Sequence, residues 1–396
     1  MRIAFVADTL QGWIGGGIVA GRHFVERLRR EHDVVVIGAD VDGPGCVKLP
    51  GFRAPVRAMH EMAFTMAWPS RKRIRAALAG ADVVHLHFPF WLSFVARAEA
   101  HAAGIPVVAA FHVQPENILY NVGLRSRALC HAGYRQWVKG LYNRVDAVIC
   151  PSAFAERRLR EHGLVVPTHV VSNGASPDLR RRSRHRAARG DGPLLVVAVG
   201  RLAPEKRIDV IIDAVARSRH RARIRLVLAG AGPLEAKLRG RVARVLGGSP
   251  VDIGFVERER LEALLNTADV LVHASEIELE GIAVLEAMSM GLPVVVADSP
   301  ESAAAGFALD ERFLFRSGDA ASLAAKLDAL FDAPEVIDDA RARSIDVARR
   351  YDFGHGVERA VDIYRSVGAG GRDVRDVDVR RSERPRSDDH SLPPDT

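Results

Sequence analysis

The chain has 396 residues, of which 48% are hydrophobic and 27% are charged, so it can bury a large core and is too long for one ordinary domain. It contains no uninterrupted apolar run of about 18 residues, the length that a membrane-spanning helix needs. The formal net charge of +7 favours acidic partners such as phosphorylated ligands or anionic lipid. The sequence has no aromatic base-stacking motif, which argues against a nucleic-acid partner.

The cysteines and the start of the chain indicate a cytoplasmic protein. Cys46, Cys130 and Cys150 lack metal-binding spacing, and their odd number argues against a disulfide framework. We expect them to be small buried residues without chemistry. The first predicted strand begins at the third residue, which leaves no room for a secretory signal peptide.

The first half of the chain alternates short apolar runs with helical stretches. Six runs rich in β-branched residues predict buried strands at residues 3–6, 34–37, 83–86, 107–111, 147–150 and 169–171. Strands that alternate with helices predict a doubly wound α/β domain around a parallel sheet.

A second set of six runs predicts another parallel sheet, at residues 194–199, 224–228, 251–253, 270–272, 294–297 and 313–315. The two sheets imply two Rossmann-like domains, which we place at residues 1–178 and 193–350. Residues 179–192 are rich in arginine without apolar periodicity and predict an exposed basic linker. The tail, residues 368–396, lacks core-forming spacing and is expected to be disordered.

Residues 270–298 hold a predicted strand, a polar loop, a short helix and a second strand. The helix is predicted over residues 285–290, so Glu278 lies in the loop and Glu286 lies inside the helix. The helix start near residues 281–283 then lies between the two carboxylates. Free N–H groups there suit a phosphate or sugar hydroxyls, and the carboxylates can bind diols. Taken alone, both glutamates could equally be ordinary surface acids.

The full residue pattern of this stretch favours a ligand site. The sequence E-x-x-G-x-x-x-L-E-A-M-x-x-G-x-P-V, which starts at Glu278, resembles the signature of retaining glycosyltransferases of the family 4 type, which adopt the GT-B fold. The resemblance implies two Rossmann-like domains that face a central cleft. It also implies that Glu286 holds the nucleotide ribose, while Glu278 and the backbone of Ile282 and Ala283 contact the donor sugar. The family usually has an aromatic residue where this chain has Glu280.

Two cations follow the first predicted strand of the second domain. Arg201 and Lys206, in the sequence GRLAPEK, stand where they can offset the charge of a diphosphate. An ion pair at the strand end is the alternative interpretation. The pattern G-R-L-x-x-E-K is similar to the diphosphate clamp of the same family, and Val256 lies where the backbone of that family meets the base.

Three glycines precede the first predicted helix, which runs to about Arg29. Gly15 and Gly17 fit a G-x-G-x-x-A dinucleotide pattern, but about eight residues separate them from the strand, which counts against that assignment. A plain glycine-rich loop is the alternative. The family that this chain resembles carries a glycine loop here, which approaches the donor diphosphate, so Gly16 and Gly17 are candidate donor-binding residues.

His112 stands at the carboxyl end of a predicted strand, where ligands of open α/β sheets bind. A structural histidine is the alternative. Residues 111–118, FHVQPENI, resemble the glycolipid-forming subgroup of the family, which includes diacylglycerol glucosyltransferases, and so do residues 302–315. In that subgroup the matching histidine reaches the donor sugar beside the reaction centre, so the resemblance makes His112 a catalytic candidate.

His85 and His87 alternate along one predicted strand, but no third metal ligand with matching spacing is near. We expect buried or cleft-lining histidines there. The two D-x-D sequences, at residues 40–42 and 376–378, lie away from the candidate site, so neither a metal nor a cofactor is predicted. The aromatic residues that follow His87 are expected mainly in the core: Phe88, Phe90, Trp91 and Phe94.

Residues 53–78 mix arginine and lysine with methionine and aromatic side chains, and residues 124–145 repeat this composition. Such a stripe is typical of core packing with a wet face, and it also suits a helix that lies among lipid headgroups. We expect peripheral contact with an anionic membrane, at the inner face of the cell membrane.

These patterns predict a retaining hexosyltransferase with His112, Arg201, Lys206 and Glu278 as catalytic residues. The donor is expected to be UDP-glucose, bound mainly by the second domain, and the acceptor a hydroxyl of a membrane glycerolipid. The resemblance implies front-face attack, although Glu278 could also be a covalent nucleophile. A helix at residues 351–367 looks like the closing helix that in GT-B proteins packs back on the first domain.

Other functions remain open at this stage. The acceptor could be a soluble or polyprenyl-linked saccharide, and the same fold could serve a sugar-nucleotide epimerase. A nicotinamide-dependent oxidoreductase is disfavoured by the long gap before the glycines. A catalytically silent binding protein is disfavoured because all four residues of the expected clamp and sugar site are present.

Overall fold

The computed structural model describes residues 1–11, 15–53, 64–177, 179, 181, 192–247 and 250–368. The predicted basic linker lies outside the described residues except at its first and third positions and at its end, and the predicted tail lies outside them except for its first residue. Residues 54–63 of the predicted membrane-facing stretch also lie outside them.

The first lobe is built on a seven-stranded parallel sheet. Its strand order is β3-β2-β1-β6-β7-β8-β9, with β1 at Arg2–Val6, β2 at Asp33–Gly38, β3 at Cys46–Lys48, β6 at Val83–Leu86, β7 at Val107–Ala110, β8 at Ala147–Cys150 and β9 at Thr168–Val170. A short antiparallel pair, β4 at Gly51–Phe52 and β5 at Met66–Ala67, stands apart from this sheet.

Helices cover both faces of the first sheet: α1 at Gly16–Leu28, α2 at Arg71–Leu78, α3 at Trp91–Ala102, α4 at Pro115–Asn121, α5 at Arg127–Gly140 and α6 at Ala153–Glu161. Serine residues begin three of them, because Ser70, Ser126 and Ser152 each accept a hydrogen bond from the backbone N–H three residues further on. These side chains satisfy N–H groups that the helix itself leaves unpaired.

The second lobe repeats this design with six parallel strands in the order β12-β11-β10-β13-β14-β15. The strands are β10 at Leu194–Val199, β11 at Ile224–Ala229, β12 at Val251–Gly254, β13 at Val270–His273, β14 at Val294–Asp298 and β15 at Leu314–Arg316. The helices are α7 at Ile208–Arg217, α8 at Glu235–Leu246, α9 at Arg258–Thr267, α10 at Ile282–Ser289, α11 at Ala320–Asp332 and α12 at Pro334–Ala348.

A last helix, α13 at Phe353–Gly368, returns from the second lobe to the first. It packs against α1 and β8, and Val357, Val361 and Tyr364 are buried in the apolar cluster that lies on one face of the first sheet. The Tyr364 hydroxyl forms a 2.8 Å hydrogen bond with Nδ1 of His85. The first lobe is therefore completed by the last helix of the described chain.

The sheets agree closely with the sequence prediction. All twelve predicted strands are present within one residue at each end, because strands buried on both faces are continuous apolar runs. The short strands β3, β4 and β5 were not predicted. The core prediction is wrong for Trp91, whose side chain is 45% exposed at the start of α3, while Phe88 is buried as expected.

Metal and membrane-spanning features are absent from the described ranges. Within them, no three histidine, cysteine, aspartate or glutamate side chains are arranged so that they could hold a metal ion, although His85 and His87 are neighbours. None of the helices found there is both long and apolar enough to cross a bilayer.

Candidate active site

The loop between β13 and α10 carries the central residues of the site. Gly281 ends this loop with a φ of +103°, a conformation that suits glycine, and α10 begins at Ile282. The first turn of α10 therefore presents free N–H groups and the positive end of the helix dipole. As predicted, Glu278 lies in the loop and Glu286 in the helix, and the helix starts at Ile282, within the expected start near residues 281–283.

Lys206 and Glu278 form a largely buried ion pair in the loops that follow strands β10 and β13 of the second sheet. Oε1 of Glu278 also lies 3.1 Å from Nε2 of His273, the last residue of β13. Burial opposes ionisation of Glu278, but the Lys206 ammonium and His273 outweigh it and hold the pKa of this carboxyl well below its usual range. Glu278 is therefore ionised at neutral pH and can accept hydrogen bonds from hydroxyl groups.

Arg201 follows β10 and is paired with Glu205. The Arg201 side chain is 13% exposed and that of Glu205 only 1%, so the guanidinium is the accessible part of the pair. The backbone oxygen of Glu205 accepts hydrogen bonds from the N–H of Glu276, at 2.8 Å, and from Oγ of Ser275, at 3.2 Å. These bonds join the Arg201–Lys206 loop to the loop that carries Glu278.

Glu286 is half-buried on α10 beside Arg258 and Ser176. Burial raises the pKa of Glu286 to about 7, while the charge of Arg258 and a backbone N–H from Ser176 act in the opposite direction. Arg258 also donates a 2.8 Å hydrogen bond to Oγ of Ser176. Val256 lies two residues before Arg258, in the loop between β12 and α9.

The first lobe reaches this site through the start of α1. A side-chain carbon added to Gly16 would lie 3.2 Å from Cδ1 of Ile282, so the first turns of α1 and α10 meet across the cleft. A carbon added to Gly17 would lie 3.4 Å from Cβ of His112. The helix begins at Gly16, so both glycines lie in its first turn rather than in a preceding loop.

Three histidine rings lie in contact behind this turn. The His112 ring centroid lies 4.4 Å from that of His87, which lies 5.7 Å from that of His85. Nε2 of His87 forms a 2.8 Å hydrogen bond with the backbone oxygen of Gly17. Burial lowers the pKa of His87 to about 4, and burial together with the neighbouring histidines places the pKa of His112 well below its usual value. All three rings are therefore neutral at pH 7.

The structure places most of the sequence-predicted site residues in one connected set. His112 contacts Gly17, Gly16 lies against Ile282, and the α10 loop leads back to the Glu278–Lys206 pair. Arg201 joins this set through Glu205, whereas Val256 is located only by its position two residues before Arg258. The alternative interpretation of Arg201 as a strand-end ion pair also describes this structure, since Glu205 holds it.

Several residues of the site were not predicted. His273 stands at the carboxyl end of a buried strand, the position that made His112 a candidate. The predicted strand ended one residue earlier, at residue 272, so His273 was not recognised. Arg207 pairs with Glu276, and Arg125 of the first lobe lies 3.3 Å from the same carboxylate. Such a contact between lobes leaves no periodic signal in the sequence.

This architecture defines the class of protein. Two Rossmann-like lobes that meet at the carboxyl ends of their strands form the GT-B fold, and a solved structure shares it: HepE of Anabaena in complex with UDP-glucose matches 92% of this chain and 100% of its own with a TM-score of 0.73 at 17% identity. The chain belongs to the glycosyltransferases: residues 14–179 match the family "Glycosyltransferase Family 4" and residues 180–350 match "Glycosyl transferases group 1". The predicted fold and enzyme class are confirmed.

Curated relatives include enzymes that form glycolipids. A GDP-mannose-dependent alpha-mannosyltransferase of Mycolicibacterium smegmatis is 29% identical over 76% of this chain and 80% of its own length. The alpha-monoglucosyldiacylglycerol synthase of Streptococcus pneumoniae is 23% identical over 76% of this chain and 72% of its own. The protein is therefore an enzyme that transfers a sugar from a nucleotide sugar.

Proposed function

We propose that the protein is a retaining hexosyltransferase that moves glucose from UDP-glucose to a hydroxyl group of a membrane glycerolipid. The observation that carries the proposal is the meeting of α1 and α10 at Gly16 and Ile282, beside the Lys206–Glu278 pair. A cation, a helix N-terminus and a carboxylate, all within one cleft, match the diphosphate and the sugar of a nucleotide sugar.

In this proposal the second lobe binds the donor. Arg201 and Lys206 hold the diphosphate, and the first-turn N–H groups of Ile282 and Ala283 add to them. Glu278 accepts hydrogen bonds from the sugar hydroxyls. Glu286 accepts from the ribose, and the backbone at Val256 contacts the base.

The reaction breaks the bond between the anomeric carbon and the phosphate oxygen. The electron pair leaves with the diphosphate, on which negative charge grows, and cations already placed there stabilise the transition state. The acceptor oxygen bonds to the anomeric carbon from the same face, and its proton passes to the departing phosphate oxygen. In this proposal neutral His112, which lies beside Gly17 in the first lobe, hydrogen-bonds a hydroxyl of the donor sugar beside the reacting carbon. Each residue acts by binding or orientation, and no cofactor takes part.

Two features support glucose and a lipid acceptor. The segments at residues 111–118 and 302–315 resemble the glycolipid-forming subgroup, and the S. pneumoniae relative is named as a synthase of a glucosyl diacylglycerol. The experiment presents purified protein with radiolabelled UDP-glucose or GDP-mannose together with extracted lipid. Label from UDP-glucose should enter the organic phase. Label confined to water-soluble products would contradict the lipid acceptor, and transfer from GDP-mannose alone would contradict the donor.

Donor affinity should depend on the ionisation of Glu286. Partial burial raises the pKa of this carboxyl to about 7, and the ionised form is the better acceptor for ribose hydroxyls, so a bound proton competes with the donor. Between about pH 6 and pH 8 we expect the donor KM to fall by about tenfold. Steady-state kinetics across this range would measure the change.

Two variants test whether Glu286 is the group that causes the pH dependence of the donor KM. Glu286→Gln should remove the pH dependence of the donor KM and keep it at or above its value at low pH. Glu280, on the same loop, also has a pKa that burial raises to about 7, so Glu280→Gln serves as the control that keeps the dependence. A pH dependence that survives in Glu286→Gln would show that another group titrates.

The first lobe carries a surface that suits an anionic membrane. Trp68 and Trp91 are 57% and 45% exposed, and their rings meet at 4.9 Å, beside the ring of Phe52. Helix α2 starts three residues after Trp68 with the cationic sequence RKRIR. Exposed aromatic rings beside clustered cations are typical of contact with lipid headgroups. This surface would bring the acceptor to the first lobe, at the inner face of the cell membrane.

Removal of one of the two exposed tryptophans should weaken membrane binding. Each large aromatic side chain that enters the interface contributes about 1.5–3 kcal/mol, so Trp68→Ala should reduce partitioning onto phosphatidylglycerol vesicles by about tenfold or more. Co-sedimentation with vesicles measures the effect, and phosphatidylcholine vesicles test the contribution of charge. Val165→Ser, at a residue 79% exposed elsewhere on the first lobe, is the matched control. Equal partitioning of both variants would refute this surface.

A further inference from the structure

Three consecutive residues of the loop between β13 and α10, which we call the donor loop, contact three different parts of the molecule. Glu278 pairs with Lys206 in the second lobe. Leu279 is buried in the apolar cluster of the first lobe, and its backbone oxygen accepts a hydrogen bond from Oγ of Ser152 at the start of α6. Glu280 turns to the segment that follows β9. The loop therefore touches the donor site, the first lobe and the connection between the lobes.

Glu280 is 3% exposed, and its carboxylate is surrounded by donors from this interlobe segment, residues 171–177. Oε1 accepts from Oγ of Ser172 and, at 3.1 Å, from the backbone N–H of Asn173. Oε2 accepts from Nδ2 of Asn173 at 2.7 Å and shares its backbone N–H at 3.2 Å. Both carboxylate oxygens are thus used to hold the segment.

The same segment also contacts the last helix. An added side-chain carbon would lie 2.6 Å from the backbone nitrogen of Phe353 if placed on Gly174, and 2.5 Å from the backbone oxygen of Ser172 if placed on Gly356. Gly174 has a φ of +65°. Further along, the backbone N–H of Ser176 donates to Glu286, and Oγ of Ser176 accepts a hydrogen bond from Arg258. The segment therefore lies between α10, which carries Glu286, and the start of α13.

We propose that Glu280 is a positioning residue that fastens the interlobe segment to the donor loop and thereby sets how the two lobes close on the donor. The inference rests on the proposed donor site, since Glu278 and Glu286 would contact the donor on either side of Glu280. If the donor loop moves when the donor binds, the hydrogen bonds of Glu280 make residues 172–173 move with it. It then reaches α13, which packs on the first lobe.

The chemistry of the site predicts which replacement restores function. Glutamine keeps one acceptor oxygen for Ser172 and for the backbone N–H of Asn173. Its amide N–H₂ faces the Asn173 side chain, which can turn its own oxygen to accept. Alanine removes every one of these acceptors and leaves buried donors on the segment unpaired.

The experiment compares Glu280→Ala and Glu280→Gln with wild type, with Glu335→Ala on exposed α12 as the control. In Glu280→Ala we expect kcat at saturating donor to fall by about 10- to 100-fold, because reacting groups of the two lobes are misplaced. UDP binding, measured by calorimetry, should stay within about twofold, since the second-lobe contacts remain. X-ray scattering should show that UDP changes the radius of gyration of wild type and leaves that of Glu280→Ala unchanged. Glu280→Gln should restore both kcat and this response.

The results that would refute the positioning role of Glu280 differ from those that would refute the proposed function. A kcat for Glu280→Ala within about twofold of wild type, or a Glu280→Gln variant as impaired as Glu280→Ala, would refute the positioning role. If Glu280→Ala does not fold, Asn173→Ala removes the side-chain donor to Oε2 instead and must show a loss of kcat with retained UDP binding. A wild-type enzyme that transfers sugar from no nucleotide sugar would refute the proposed function, whereas an active wild type with a fully active Glu280→Ala refutes this inference alone.

Discussion

Replacement of Lys206 by alanine is expected to lower kcat at saturating donor by about 10²- to 10³-fold, the usual effect of removing one group that stabilises a developing anion. Lys206 is the only ammonium that pairs with Glu278 among the described contacts, and Glu278 lies four residues before Ile282, which faces Gly16. In a largely buried site its charge acts through a lower effective dielectric than in water. The effect should fall on kcat, because the charge on the diphosphate grows as the bond breaks.

Turnover with labelled donor at several concentrations separates kcat from KM for this variant. Lys237→Ala is the matched control, since Lys237 is an exposed lysine on α8 of the same lobe. Cys130→Ala, in the first-lobe core, should likewise stay near wild type in kcat. A Lys206→Ala enzyme as active as these two would remove the lysine from the mechanism.

The second large effect is expected at Gly230, directly after β11. An added side-chain carbon would lie 1.8 Å from the backbone oxygen of Gly200, and backbone cannot move aside as a flexible side chain does. Gly200 itself has a φ of +147° and leads into the Arg201 loop. Gly230→Ala should therefore destabilise the second lobe by at least about 3 kcal/mol. Calorimetry should show a Tm lower by about 6–12 °C.

Gly240→Ala is the control for this effect. Gly240 lies within α8, and an added carbon there would meet no atom within 4 Å. Because alanine is the better helix former, this variant should be more stable by about 0.5–1 kcal/mol. A Gly230→Ala protein with the same Tm as wild type would show that the turns at Gly200 and Gly230 can move apart without loss of stability.

The sequence predicts those parts of the fold that depend on local patterns. Strands such as Leu194–Val199 are buried on both faces, so their residues are apolar without interruption. The position of Glu278 in a loop and Glu286 in a helix follows from the glycine and the apolar helix between them. Short edge strands such as Cys46–Lys48 bury little surface and leave no such pattern.

The geometry of the site depends on contacts that sequence patterns do not encode. Nothing local shows that Leu279 enters the core of the other lobe or that Glu280 holds Asn173. Trp91 is a large aromatic residue of the kind expected in a core, yet it starts a helix and its side chain is exposed. The Lys206–Glu278 pair joins residues far apart in the chain, which only the packing of loops brings together.

The return of α13 to the first lobe decides how hybrid enzymes should be assembled. A donor half taken from a relative cannot simply be exchanged from the interlobe segment to the end of the chain, because Tyr364 and its neighbours would then be replaced by a foreign final helix. The apolar face of the first lobe would pack against foreign side chains, and His85 would lose its bond to the Tyr364 phenol. A sound exchange needs two junctions, one near residue 177 and one near residue 352, so that the final helix stays with the half on which it rests.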